Sequence, residues 1–123
     1  MAIMFDLANF DITRFEASAG EAAKLLRALA NERRLMILCQ LADGELSVGE
    51  LVPRVGLSQS ALSQHLAVLR EEAIVATRRD GQTIWYRIID PAAVRVVTTL
   101  AEIFCPPDIR KSHDRQTYAP DAE

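Results

Sequence analysis

SVGELVPRVGLSQSALSQHLAVLREEAIVATRRDGQTIWYRI, residues Ser47–Ile88, decides the fold. Ser47 reads as a helix N-cap, with Glu50 in the reciprocal place of a capping box. Val48, Leu51 and Val52 give the short helix that follows an inward face. Pro53 is tolerable near the start of so short a helix, and Gly56 closes it. Ser58 caps a second helix that runs to Glu71 or Glu72, with Leu62, Leu66 and Leu69 forming a buried stripe at helical spacing. Gln59, Ser60, Ser63, Gln64 and Ala67 fall toward the opposite side. Ile74–Thr77 begins a strand, and Arg78, Arg79, Asp80, Gly81 and Gln82 are expected to make the turn. Asp80-Gly81 is the favoured pair for a type I′ hairpin. Thr83–Ile89 returns, with Ile84, Tyr86 and Ile88 on one side and Trp85 and Arg87 alternating with them.

Helix, tight turn, helix and basic hairpin in this order are the pattern of a winged helix-turn-helix, a mainly α fold with a β-hairpin wing that suits insertion into DNA grooves. The polar side of the second helix supplies candidate readers. A Gln side chain can bond bidentately to adenine's edge, and Ser can donate or accept at several bases. Arg78 and Arg79 at the hairpin are candidates for the minor groove or the backbone phosphates. Arg54 adds to the basic footprint, and His65, beside the Leu62–Leu66 stripe, suits a flanking or phosphate contact better than a metal. A solvated helix face and a solvated hairpin would account for each feature alone; their conjunction favours double-stranded DNA.

Outward from this unit, a first helix is expected over Ala17–Leu29, capped by Ser18 with Glu21 as its box partner and striped by Ala22, Leu25, Leu26 and Leu29. Asn31 caps a second helix reaching about Leu41, its inward face drawn through Leu35, Leu38, Cys39 and Ala42, and Asp43-Gly44 ends it. Asp90-Pro91 starts the last helix. Ala93, Val94, Val96, Val97, Leu100, Ala101, Ile103 and Phe104 are more apolar residues than one packing face of a small domain needs. The surplus implies a homodimer helix, helped by the first helix. Pro106-Pro107 stops it. The expected organisation is an arm over 1–16, a DNA-binding and dimerisation domain over 17–105 and a polar tail over 106–123. In the arm, Met4, Phe5, Phe10 and Phe15 either pack on a partner or fray; His113 stands alone in the tail.

A chain of 123 residues with 50% apolar composition has room for one modest core. No apolar run approaches membrane-spanning length, and no basic leader precedes an apolar core at the N-terminus, so the cytoplasm is the expected location. The net charge of −3 argues mildly against a nucleic-acid partner, but its distribution matters more. Between Arg54 and Ile88 five arginines face three acids, whereas residues 1–26 carry a net −2. The basic footprint is local, and a dimer doubles it.

Two cysteines, Cys39 and Cys105, are no disulfide framework for a cytosolic chain. They are either small core side chains or a reactive pair. They meet if the second helix packs on the last, and a bond between them would then tie a helix beneath the reading unit to the dimer helix. With His65 and His113 the only imidazoles, and neither at ligand spacing from a cysteine, a four-ligand zinc site is incomplete. No metal or cofactor is expected. An enzyme is not expected either: there is no glycine-rich phosphate loop, no H-E-x-x-H and no visibly paired acids. A small dimeric interaction protein without operator recognition is the remaining class.

The segments LLRALANERRLMIL, ELSVGELVPRVGLSQSALSQHLAVLREEAIV and RRDGQTIWYRI together resemble the ArsR/SmtB family of winged-helix repressors, over roughly Glu21–Phe104. The resemblance implies a homodimer with outer helices at its interface and operator binding released by an inducer. Positions that look like the family's arsenic-type Cys-x-Cys pair hold Ser47 and Gly49. The best matches to its zinc-type site are Asp90, Ala92, Ile103 and Pro106, of which only Asp90 is a possible ligand. Cys39, in LMILCQL, and Cys105, in IFC, instead match the persulfide-responsive branch, the SqrR/BigR type. That likeness implies a dithiol form that binds DNA and a polysulfide or disulfide bridge, made by reactive sulfur species or other oxidants, that weakens binding. Sulfide-handling genes are the implied targets. A metal- or arsenite-responsive repressor of the same fold is the alternative.

Overall fold

The computed structural model describes residues 11–105. The leading arm residues Met4, Phe5 and Phe10, and the tail with Pro106, Pro107 and His113, lie outside them. The described chain runs α1 (Ile12–Leu29), α2 (Glu32–Leu41), β1 (Leu46–Ser47), α3 (Val48–Val55), α4 (Gln59–Glu71), β2 (Val75–Asp80), β3 (Thr83–Ile88) and α5 (Pro91–Phe104). It is the expected mainly α fold with a hairpin wing.

The helix termini follow local chemistry. The Asn31 side chain accepts from the amides of Arg33 and Arg34, and Ser47 and Glu50 complete a reciprocal capping box at α3. Ser58 caps α4 by accepting from the Ala61 amide, and Asp90 caps α5 with Pro91 in its first turn. Gly56 ends α3 in a left-handed conformation, φ 69°, where a Cβ would be strained. α1 departs from expectation. It starts at Ile12, capped by Asp11, whose carboxylate accepts from the Arg14 amide. Ser18 and Glu21 are therefore interior residues: a capping-box spacing offers a start, but the helix propensity of the residues before it carries the helix through. The Arg34 guanidinium ties the far end of α1 to α2, donating to the Ala28 carbonyl at 2.6 Å and the Arg27 carbonyl at 3.4 Å.

The core is one cluster. Leu62, Leu66 and Leu69 of α4 meet Ile37, Leu38 and Leu41 of α2, Leu51 and Val55 of α3, Ile74 and Val75 before and in the wing, and Ala93 and Val97 of α5. Three inward assignments change. Cys39 and Ala42 are exposed, because the buried face of α2 runs through Ile37, Leu38 and Leu41. Leu26 is also exposed, leaving Leu25 and Leu29 to join α1 to the core.

The wing is a three-stranded antiparallel sheet in the order β1-β3-β2. Asp80 pairs with Thr83, so Arg78, Arg79 and Asp80 belong to the strand and Gly81-Gln82 is the two-residue turn. That corrects the reading of Asp80-Gly81 as the turn pair. Positive φ falls on Gly81 alone, the sign pattern of a type II′ turn with glycine at its first central position. β1, which the sequence reading did not anticipate, pairs Leu46 with Tyr86 and Ser47 with Trp85. Side chains alternate across a sheet. Leu46, Thr77 and Tyr86 therefore share the inward face, while Ser47, Arg78 and Trp85 share the outer one. By the same alternation Glu45 and Arg87 join the outer face and Arg79 the inner.

Candidate functional site

α3 and α4 form the expected helix-turn-helix. With Leu62, Leu66 and Leu69 locked in the core, helical geometry turns Gln59, Ser60, Ser63, Gln64 and Ala67 to the surface, and all five are exposed. Ala67 and Ser63 are small, which lets another surface approach this side of the helix closely. His65 is half-buried beside Leu62 and Leu66, and Arg54, in the last turn of α3, is exposed. Between α4 and the wing, Ser63, Ala67, Arg70, Glu71 and Tyr86 line an open groove. The structure thus brings the four polar readers together on one face, with Arg54 on the neighbouring helix.

The two wing arginines have separate surroundings. Arg79 sits one pair from the hairpin turn, and its side chain donates to the Gly81 carbonyl at 3.4 Å. Arg78 is held. Its Nε donates to both Glu45 carboxylate oxygens at 2.9 Å, and its Nη2 lies 2.9 Å from Glu45 Oε1. Arg87 approaches the same carboxylate at 4.0 Å. The Arg78 guanidinium also lies over the Trp85 ring, 5.5 Å from its centroid, in cation–π range. The hydrogen bond from Arg78, with the positive charges of Arg78 and Arg87, holds the Glu45 carboxyl below the ordinary carboxylate range; partial desolvation opposes this. The sequence reading missed Glu45. It precedes β1, far from Arg78 in the chain, and only the unexpected β1–β3 pairing puts both on one face.

The helices that carry the two thiols are in contact. α2 packs on α5, which ends with Cys105 as its C-cap, and both sulfurs are free and exposed. Burial pushes the Cys39 thiol up from its ordinary value, and the negative charge of a Cys105 thiolate pushes it further. Ser47 occupies a helix cap and Gly49 the first turn of α3, with no sulfur at either place. Among the described residues no three His, Cys, Asp or Glu side chains come together to hold a metal ion, and no helix is long and apolar enough to cross a membrane.

A capped helix, a supporting helix and an arginine-bearing wing on one small core define a winged helix-turn-helix. The family described as "Bacterial regulatory protein, arsR family" matches residues 31–77. The transcriptional activator HlyU of Vibrio cholerae is 47% identical over 98 residues, 80% of this chain and 91% of that protein. Its reduced form, solved as a structure, matches with a TM-score of 0.71 and 49% identity over 75% of this chain and 97% of that one. The transcriptional repressor BigR of Xylella fastidiosa matches with a TM-score of 0.74 and 45% identity, covering 78% and 98% of the two chains. A possible ArsR-family regulator of Mycobacterium bovis, solved as a homodimeric winged helix-turn-helix DNA-binding domain, is 31% identical with a TM-score of 0.64, over 84% and 89%. This chain belongs to the ArsR family of transcriptional regulators.

Proposed function

We propose that this regulator is a homodimeric repressor that binds operator DNA in its dithiol form and is released when reactive sulfur species bridge Cys39 and Cys105. The observation that supports the switch is the pair itself: two exposed, unbridged cysteines, one on α2 and one capping α5, the helix that packs on it. BigR, a relative by fold and sequence, is a transcriptional repressor, and HlyU has been solved in a reduced form. Gln59, Ser60, Ser63 and Gln64 read base edges in the major groove, His65 and Arg54 flank them, and Arg79 meets the backbone or minor groove from the wing. Arg78 stands on the same wing, tied to Glu45.

The chemistry balances with a persulfide as the sulfur donor. A cysteine thiolate attacks the terminal sulfur of R–S–SH, giving protein–S–SH and releasing R–S⁻. A second such transfer arms the other cysteine. Two protein persulfides then condense to a trisulfide, Cys39–S–S–S–Cys105, with loss of H₂S. The added sulfur spans a wider gap than a disulfide allows. A bridge changes DNA affinity only if the bridged dimer prefers a spacing of reading helices unsuited to two successive major grooves.

The test is mass spectrometry of the reduced protein after a persulfide donor and, separately, after peroxide, with operator affinity measured on the same samples. The expected result is a Cys39–Cys105 crosslink carrying extra sulfur with the donor, accompanied by loss of operator binding. Cys39→Ser and Cys105→Ser keep DNA binding and lose the response. A protein whose cysteines stay unlinked with both reagents, while its operator complex persists, would overturn the switch.

A further inference from the structure

The wing's outer face carries an anion where a DNA-binding surface gains by being cationic. Glu45 reaches across β3 from the edge of the sheet to take the Arg78 guanidinium with two donors, and Arg87 stands at 4.0 Å from the same carboxylate. Arg78 remains half exposed at 49%, so solvent and any polyanion have access to it. Its register partner across β3 is Trp85, and its guanidinium lies over that ring. The Trp85 indole N–H is sheltered and has no hydrogen-bond partner among the described residues. Carboxylate and ring together hold Arg78 flat against the sheet. Arg79, next in sequence, points to the other face, and among the described residues it forms no ion pair; its side chain donates to the Gly81 carbonyl.

We infer that Glu45 is a charge clamp that withholds Arg78 from DNA phosphates, leaving Arg79 as the wing's phosphate-contacting cation. The inference rests on DNA binding by this winged helix and adds a residue that restrains it. Phosphate neutralisation supplies most sequence-independent affinity, and each contact adds about 0.9 to the slope of log K against log salt. Cations left free on a wing therefore strengthen binding to any duplex and dilute the preference for an operator. A bidentate carboxylate–guanidinium pair answers that need, because a phosphate must displace a partner of matching geometry to capture Arg78. Glu45 acts through Arg78; it is a positioning residue and reads no base.

The experiment is salt-dependent binding of the full-length reduced protein to a non-operator duplex and to an operator, for wild type, Glu45→Gln, Arg78→Ala and the double variant. One freed cation per protomer predicts that Glu45→Gln steepens the slope by about 1.8 per dimer and tightens non-operator binding, narrowing the operator preference. Arg78→Ala leaves the wild-type slope unchanged and abolishes the gain in the Glu45→Gln background. An unchanged slope in Glu45→Gln overturns the clamp, as does a gain that survives Arg78→Ala, which would make Glu45 a general repulsive charge. Far-UV circular dichroism of each variant verifies that the fold is kept. If wild-type protein shows no salt-dependent duplex binding, the DNA reading itself fails and the clamp falls with it; an unchanged slope in a protein that does bind overturns the clamp alone.

Discussion

Cys39 and Glu45 are shifted in opposite directions for opposite reasons, and each shift has a measurable consequence. The Cys39 thiol is pushed up first by burial and then by the Cys105 thiolate. Its alkylation rate therefore keeps rising with pH beyond the range of an ordinary thiol. Replacing Cys105 with Ser removes the like charge but not the burial, so the midpoint for Cys39 alkylation falls toward, without reaching, the ordinary value. A midpoint identical in wild type and Cys105→Ser would place the sulfurs too far apart to be bridged directly. Glu45 is depressed by Arg78 and Arg87, so the ion pair's contribution to the fold is present above the ordinary glutamate value. It is lost as pH falls through the lower, folded value. Trp85, the chain's one tryptophan, lies under Arg78 and reports this directly. Its fluorescence is expected to change in an acid step below the ordinary carboxylate range, and the step disappears in Glu45→Gln. A step at an ordinary glutamate position would show that the pair does not persist in solution.

At the scale of elements, the parts legible in the sequence are those fixed by residues a few positions apart. Ser47 with Glu50, Ser58, Asn31 and Asp90-Pro91 each announce a helix start, because a side-chain oxygen satisfies an amide two or three residues on. The Leu62–Leu66–Leu69 stripe fixes which side of α4 is buried, and the exposed readers follow by subtraction. What the sequence hid is non-local. β1 has two residues, too few for any periodicity, and exists only because β3 offers a free edge to Leu46 and Ser47. Glu45 was hidden with it. The wing turn was misplaced because Asp80-Gly81 is the stronger local signal, while the pairing of Arg79 with Ile84 and Asp80 with Thr83 extends the strands past it. Cys39 was placed inward from helical spacing alone, which cannot tell whether the neighbouring helix covers that side. The capping argument has its own test. Ser47→Ala removes the acceptor for the Glu50 amide and is expected to lower stability by about 1 kcal/mol, read as a shift in the urea midpoint with unchanged m. Leu66→Ala, in the buried core, should cost about 2–5 kcal/mol by the same measurement. Equal costs for the two variants would contradict the packing described.

At the scale of the molecule, the apolar surface left over by the fold falls on its outer helices. Phe104 is 77% exposed and Ile103 59% on α5, while Ile12, Phe15 and Leu26 on α1 are also exposed, with Met36 on α2 and Val94 on α5. A small domain that buries Ala93 and Val97 of α5 in its core and packs Val96 against it leaves Val94, Ile103 and Phe104 for another surface. Burying these against a second copy would serve two ends. It hides a face costly to leave in water, and it sets the distance between two reading helices, which must match successive major grooves for both to engage. Cys105 caps the helix immediately after Phe104, so a bridge to Cys39 acts at the end of that same surface. In the proposed function such a dimer would set the spacing of the reading helices and would be the element that a thiol bridge biases. Ile103→Glu with Phe104→Glu puts two like charges on this face in each protomer. The expected result is a shift from dimer to monomer in sedimentation velocity, with helix content retained because neither residue is in the core. Operator affinity should fall at least tenfold, since two tethered half-site contacts become two independent ones. If the doubly substituted protein stays dimeric with full operator affinity, the interface lies elsewhere, and the coupling proposed from Cys105 through α5 loses its route.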